Sequence, residues 1–388
     1  MNIRLASIGC RLNRAEMDAL ARQLAAAGHR IVADGQPSEA VVINTCAVTH
    51  EAARDSRSQI RAAHRRHPDA QIIVTDCWST LQPRAAADLP GVTHVVTNRE
   101  KDGLFALLAP RILAPAPAAF DREPLQRTPV LGAAAHTRAF VKAQDGCDHR
   151  CAFCVTTLAR GPARSRPAAE ILAEVDALVA QGLREVVLTG VQLGAYGKEE
   201  GGRKKEEGGR REEGELSLGG LVRLLLTNTA VPRLRLSSVE PWNLDAGFFG
   251  LWGEFSPRLC RHLHLPLQSG SATTLRRMNR PITPAQFTRL VAAARAAIPD
   301  LCLTTDLIVG FPGEDDAEFA ESLEFVRALN FAGIHVFSYS PRPGTAAARL
   351  AGQVSAAEKK RRSALVRATV EPAARAFHCR FVGQIVSV

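Results

Sequence analysis

The residues with the most chemistry to offer in this chain are cysteines. Cys147, Cys151 and Cys154, in CDHRCAFC, sit on one short loop directly after a predicted strand, with spacing C-x3-C-x2-C. Three thiolates so spaced can hold three corners of a cubane iron–sulfur cluster and leave the fourth iron with an open coordination position. A structural zinc ion closes with four protein ligands, and this loop supplies three. His149 lies inside the loop, where its ring would have to fold back on the other ligands. Three further cysteines, Cys10 in IGCRLN, Cys46 in INTCAVT and Cys77 in VTDCWST, each follow a predicted parallel strand. The carboxyl ends of strands in an open α/β sheet line one crevice, so residues far apart in sequence can meet there and again hold three corners of a cluster. The competing reading is three buried thiols behaving as small hydrophobes. Cys260, Cys302 and Cys379 have no such company and read as fillers.

The elements that must position these thiols follow from the hydrophobic pattern. IRLASI, AVVIN, QIIVT and THVVT alternate with helical stretches at Ala15 to Ala27 and Glu51 to His67, which reads as a parallel α/β unit. An Ala/Pro-rich stretch from Leu108 to Ala135 reads as a linker. Strands are then predicted at Arg138 to Lys142, Glu185 to Thr189, Leu234 to Ser238, His262 to Leu267, Leu301 to Val309 and Gly333 to Tyr339, with helices between them. Six βα repeats imply a partial (βα)6 barrel. The division is therefore 1–115 for the first domain, 116–135 for the linker and 136–378 for the second domain. Residues 198–215, strongly charged and without a large apolar side chain, read as a solvated insertion. A long helix runs from about Ser355 to His378, and 379–388 read as the first strand of an unfinished β-module.

Composition sets outer bounds. The chain has 388 residues, 46% of them hydrophobic and 23% charged, and no run of about eighteen apolar residues that would span a membrane. A signal peptide is not evident, and the expected location is cytoplasmic. Nine cysteines in such a chain point to metal or catalytic thiols rather than a disulfide framework. The net charge of +10 suits a polyanion such as RNA. Only seven lysines contribute to it, so the excess is nearly all arginine and compatible with compositional drift. Arg160, Arg164 and Arg166 near the cysteine loop are the candidate RNA contacts. Arg54, Arg57, Arg61 and Arg65 form a stripe at helical spacing that reads first as a solvated face.

The CDHRCAFC loop after a strand resembles the radical S-adenosylmethionine enzymes. Together with RGPARSRP, LTGVQLGAYG, RLSSVEP, HLPLQSGS, RRMNRPIT and DLIVGFPGE in order, the chain is similar to the methylthiotransferases of that group along nearly its whole length. The resemblance implies two 4Fe-4S clusters. One, on Cys147, Cys151 and Cys154, cleaves S-adenosylmethionine to a 5′-deoxyadenosyl radical; the other, on Cys10, Cys46 and Cys77, carries the sulfur to be inserted, and a second S-adenosylmethionine gives the methyl group. Carried over by position, Gly190, Gln192, Ser237, Glu240 and Gln268 line the cofactor pocket, and Gly310 lets backbone approach the adenine. An electron donor such as flavodoxin or ferredoxin is implied as a partner.

Within that family, GCRLNRAE and INTCAVTHEA resemble the branch that modifies threonylcarbamoyl-adenosine at position 37 of tRNA. The alternatives are isopentenyl-adenosine at the same position and an aspartate of a ribosomal protein, with a non-catalytic two-cluster electron carrier as a different class. Two features depart from the family pattern. Asp76 stands before Cys77 where glycine is usual, and the RNA-binding β-module expected at the C-terminus is represented only by RFVGQIVSV.

Overall fold

Short apolar runs, most of them followed by a helix, give parallel sheets in a computed structural model that describes residues 1–108, 138–198 and 216–386. The expected linker, all but its first residue, and nearly all of the charged insertion lie outside the described residues. Two compact units form: Met1–Lys142 with Val155–Gly161 and Ala177–Arg184, and Ala143–Cys154 with Pro162–Asp176 and Glu185–Val388.

The first unit is a five-stranded parallel sheet of β1 (Asn2–Ser7), β2 (Arg30–Val32), β3 (Ala40–Thr45), β4 (Gln71–Asp76) and β5 (Val92–Val96), in the order β2-β1-β3-β4-β5. β3 is central and wholly buried, which explains why AVVINT reads as continuous rather than alternating hydrophobicity. On one face Val41, Ile43, Ile72 and Val74 pack with Ala53, Ile60 and Ala63 of α2 (His50–Arg66). On the other, Ile3, Val42 and Ile73 pack with Met17, Leu20 and Leu24 of α1 (Arg11–Ala26). The strand order reverses between β1 and β3, and in such sheets the crevice beyond the strand ends at that point is the natural binding site. Arg138–Lys142 (β6) packs against α1 and belongs to this unit.

In the second unit a two-residue antiparallel pair, β7 (Gln144–Asp145) with β8 (Arg164–Ser165), frames the cysteine loop. Five parallel strands follow in chain order: β9 (Glu185–Thr189), β10 (Arg233–Leu236), β11 (His262–His264), β12 (Cys302–Val309) and β13 (Gly333–Ser338). β9 pairs with β10, and β11 with β12 and β12 with β13. Single bridges, Leu234 to Leu259 and Ser238 to His264, join the two groups. The α/β class and the parallel strands are as expected.

The C-terminal expectation is corrected. Beyond the helix Ala356–Cys379 the described residues form no strand. Successive i to i−3 hydrogen bonds, Arg380 to Phe377, Phe381 to His378 and Val382 to Cys379, continue the chain as turns, and Ile385 is fully exposed. No described strand lies beside the segment, and its backbone groups are satisfied by these local hydrogen bonds instead.

Candidate active site

In the first unit, Cys10 follows β1 and opens α1, Cys46 follows β3, and Cys77 follows β4 and opens the short helix Cys77–Leu81. The registers Ser7 to Asn44 and Thr45 to Asp76 put all three on one edge of the sheet. Gly9, at φ +111, lets the turn close on Cys46, whose Sγ would lie 2.7 Å from any Cβ there. The Cys10 thiol reaches Asn13 Oδ1 at 3.1 Å. Burial pushes all three thiols up, Cys77 furthest; Asp76 reinforces the effect at each, and Arg160 opposes it at Cys10 and Cys77.

Beneath these thiols lies a buried charge network. Asp76 has φ 80 and ψ −158, a region that glycine enters freely and other residues rarely. Its carboxylate compensates: Oδ1 accepts from the Cys77 N–H and from Arg160 Nη2, both at 2.7 Å, and Oδ2 accepts from Asn44 at 2.9 Å. Arg160 also donates to Asn13 Oδ1 at 3.0 Å and Glu16 Oε1 at 3.1 Å. Glu16 is shared with Lys101 and with Lys142, the latter at 3.0 Å. Burial pushes Glu16 up, but Arg160, Lys142 and Lys101 outweigh it and hold the carboxyl well below the usual range. Burial raises Asp76 to about 6 despite Arg160. Three cations thus face two carboxylates, an excess that suits an anionic group on the thiols.

In the second unit the loop bearing Cys147, Cys151 and Cys154 is braced from three directions. The Ala152 N–H donates to Met278 O at 2.9 Å, Ala152 O accepts from the Ala347 N–H at 2.8 Å, and the Asn279 amide donates to Arg150 O at 2.9 Å. Arg280 stacks on the Trp242 ring at 4.4 Å and points Nη1 at Cys151 Sγ, 3.6 Å away. Trp242 in turn donates to His149 Nε2 at 2.9 Å, which turns that ring toward Trp242. Burial pushes the Cys147 thiol up to about 12, with Cys154, Glu240 and Cys151 adding to it. Met278, Asn279 and Arg280 belong to RRMNRP, while Trp242 and Ala347 lie outside every motif named above.

Each site offers three free thiols, which leave a four-coordinate zinc shell one ligand short, whereas a cubane cluster takes three cysteines and keeps one iron open. The pocket residues also show unfilled polar capacity: Gln192 Oε1 and Ser237 Oγ are buried with no protein hydrogen-bond partner among the described residues. Such orphaned atoms mark a site for a polar ligand. Gln144 organises the neighbourhood, accepting from the Gln192 N–H at 2.7 Å and donating to Asp145 O and Gly146 O. A Cβ at Gly190 would sit 3.1 Å from the Gln144 side chain. Glu240 is buried, accepts from the Gly194 N–H at 3.0 Å, and is pushed up by burial to about 7. Gln268, at φ 81, joins the strand end to β12 through Asp306 O and the Ile308 N–H.

One expectation changes, that for Arg160, and Gly310 gains a packing role. Gly310, at φ +69, donates its N–H to Glu314, and a Cβ there would meet the Lys359 side chain, so the turn and its packing themselves call for glycine. Arg160 is not a surface contact for RNA: its side chain is 2% exposed and committed to Asp76, Asn13 and Glu16. Arg166 is half-buried and paired with Glu174 at 2.8 Å, while Arg164 is exposed on β8. On α2, Arg54, Arg61 and Arg65 face solvent and Arg57 lies 5.7 Å over Trp78.

Residues 141–326 match the Radical SAM superfamily, and residues 2–97 match Uncharacterized protein family UPF0004. The threonylcarbamoyladenosine tRNA methylthiotransferase MtaB of Thermotoga maritima is 34% identical over 98% of this chain and 85% of its own length. The protein of that name from Bacillus subtilis is 31% identical over 98% and 83%. A tRNA-2-methylthio-N(6)-dimethylallyladenosine synthase from Cereibacter sphaeroides is 34% identical over 97% and 85%. Among solved structures, the radical S-adenosylmethionine methyltransferase TsrM from Kitasatospora setae superposes with TM-score 0.62 at 15% identity, covering 89% of this chain and 77% of that one. That likeness shows the fold. The chain belongs to the radical S-adenosylmethionine methylthiotransferase family. A 4Fe-4S cluster and S-adenosylmethionine come with that membership, and no described helix is long and apolar enough to cross a membrane.

Proposed function

We propose that this protein adds a methylthio group to C2 of N6-threonylcarbamoyladenosine at position 37 of tRNA. It would do so with two 4Fe-4S clusters, one on Cys10, Cys46 and Cys77 and one on Cys147, Cys151 and Cys154, and with electrons from a carrier such as flavodoxin or ferredoxin. The observation that carries this reading is the pair of separate thiol triplets, one at the parallel strand ends of the first unit and one on a single loop of the second. When bound, the clusters would supply the electron for cleaving S-adenosylmethionine and the sulfur for insertion.

The chain's own residues have distinct tasks. Arg280 compensates charge at Cys151, Gln192 and Ser237 offer hydrogen bonds to a bound cofactor, and Glu240 offers a carboxyl to its ammonium group. Arg160, Lys101 and Lys142 offset negative charge gathered on Cys10, Cys46 and Cys77. The threonylcarbamoyl substrate is supported by the names of the Thermotoga and Bacillus relatives. The second reading, dimethylallyladenosine, is supported by relatives of the other name at similar identity.

Nucleoside mass spectrometry of tRNA from a deletion strain, with and without the restored gene, separates the two: the 2-methylthio mark disappears from one nucleoside and returns. Changing Cys147, Cys151 and Cys154 together to Ala should remove one cluster and stop 5′-deoxyadenosine formation. The same change at Cys10, Cys46 and Cys77 should remove the other and leave cofactor cleavage in place. A triple variant of the first kind that still yields 5′-deoxyadenosine would overturn the assignment.

A further inference from the structure

Parallel strands between helices are normally buried on both faces, yet one face of β12 and β13 is polar and open. Along β12 Leu303, Thr305, Leu307 and Val309 are buried, while Thr304, Asp306 and Ile308 alternate with them on the other side and stay partly accessible. The register pairs Asp306 with His335 and Ile308 with Phe337, so His335 and Phe337 share that open face. It is the face on the side of the cysteine loop, since Ile308 and the loop residue Phe153 pack against one buried cluster containing Ala152.

On this face Asp306 lies between two imidazoles. Its Oδ1 is 3.2 Å from His264 Nε2 and 3.2 Å from His335 Nδ1, and the two rings lie 5.4 Å apart at 30°. His264 is buried and uses its other nitrogen on Thr304 Oγ1 at 2.9 Å. The His335 side chain is 63% exposed. With Nδ1 held by Asp306, its Nε2 lies on the opposite edge of the ring, directed away from the carboxylate. Protonated on both nitrogens, His335 would bridge Asp306 and an incoming oxygen anion. Two residues along the strand Phe337 is 40% exposed, a large apolar ring at an accessible position. Residues i and i+2 stand about 6.6 Å apart. An aromatic plane and an imidazole at neighbouring same-face positions suit a purine and the far end of an acyl substituent on its N6 atom.

We propose that His335, held by Asp306 and His264, is a specificity-determining subsite for the carboxylate of the N6 substituent, with the base lying on Phe337. This rests on the tRNA reading above and deepens it. The logic is asymmetric. A site built to pair with a charged oxygen rejects an apolar isostere, because its own polar groups would be desolvated without a partner. A dimethylallyl group would cover His335 Nε2 without offering it a partner; a threonylcarbamoyl group would supply one.

The test uses the reconstituted holoenzyme and three anticodon stem-loops, with N6-threonylcarbamoyladenosine, the same nucleoside with its carboxylate converted to the amide, and N6-dimethylallyladenosine. Methylthiolated product is measured as kcat/KM. The wild type should prefer acid over amide by roughly 10–100-fold, the span of a hydrogen bond to a charged group, mostly through KM. His335→Leu should bring that ratio close to one, and His335→Gln should restore part of it. Because each enzyme is compared with itself, partial loss of folded protein does not affect the ratio. A wild-type ratio near one, or a ratio unchanged in His335→Leu, overturns the proposal. So does one zinc per chain in the holoenzyme that disappears in His335→Leu, which would make the three side chains a metal site. Turnover of only the dimethylallyl stem-loop would instead overturn the substrate reading itself.

Discussion

Asp76 Oδ1 lies 2.7 Å from Arg160 Nη2, with both side chains shut off from solvent at the turn that delivers Cys77. The pair explains how a carboxylate occupies a backbone conformation suited to glycine. Its side chain caps the Cys77 N–H while Arg160 balances its charge, so the strain of φ 80 is offset by three hydrogen bonds. Breaking such a pair from the two sides has unequal cost. Arg160→Met leaves Glu16 and Asp76 buried with less compensation, and should destabilise the protein by about 3–5 kcal/mol. Asp76→Gly relieves the backbone strain and leaves Arg160 on Glu16, so its cost should be clearly smaller. Urea unfolding of both variants checks this; equal losses would show that the ion pair does not govern the turn.

Glu240 gives a pH-dependent expectation. Burial raises its folded-state pKa to about 7 from an ordinary 4.5, so its contribution to stability is fully present below about 4.5 and is lost as pH rises through about 7. Glu240→Gln keeps an acceptor for the Gly194 N–H and removes the charge. The variant should unfold like the wild type at pH 5 and be more stable at pH 8, by on the order of 3 kcal/mol. It should also cleave S-adenosylmethionine more slowly if the carboxyl meets the cofactor's ammonium group. A stability difference that does not grow between pH 5 and pH 8 would contradict the assignment.

The first cysteine triplet was legible in sequence because strand periodicity places residues at strand ends, and strand ends of a parallel sheet share an edge; the second was legible from its spacing on one loop. Cys46 after AVVINT and Cys77 after QIIVTD needed nothing more. The charge network was not legible, because Glu16, Lys101, Lys142 and Arg160 come from four separate elements whose meeting depends on tertiary packing. Arg160 in particular read as an RNA contact, since it stands beside the Gly161–Pro162 turn just after the cysteine loop and nothing local announces that Asp76 will be buried beside it. The His264–Asp306–His335 group escaped notice for a related reason. Each member is one residue on its own strand, and only the register of β11, β12 and β13 brings them side by side.

Arg280 should tune the cluster on the second unit rather than hold it. Its guanidinium is fixed by stacking on Trp242 and reaches Cys151 Sγ. Outer partners of metal ligands typically contribute 10–100-fold to affinity or activity. Arg280→Lys keeps the charge but loses the planar stack. It should retain the electron paramagnetic resonance signal of a reduced 4Fe-4S cluster with altered g values, and lower cofactor cleavage by roughly tenfold. Wild-type spectra and rates in Arg280→Met would show that this contact is incidental.

RNA affinity should come from arginines that solvent can reach. Arg164 on β8 and Arg54, Arg61 and Arg65 on α2 are exposed, whereas Arg160 is buried and Arg166 is paired with Glu174. Each phosphate neutralised releases counterions, so binding should weaken steeply with salt. Removing one phosphate contact should lower the slope of log K against log salt by about 1 without changing sequence preference. Arg164→Ala, measured with tRNA across a salt series, is therefore expected to flatten the slope, and Arg166→Ala to change it little. Arg160→Ala should leave the slope of the folded fraction unchanged while lowering stability. A flattened slope in Arg160→Ala with the fold intact would show that the buried network opens to admit the nucleic acid.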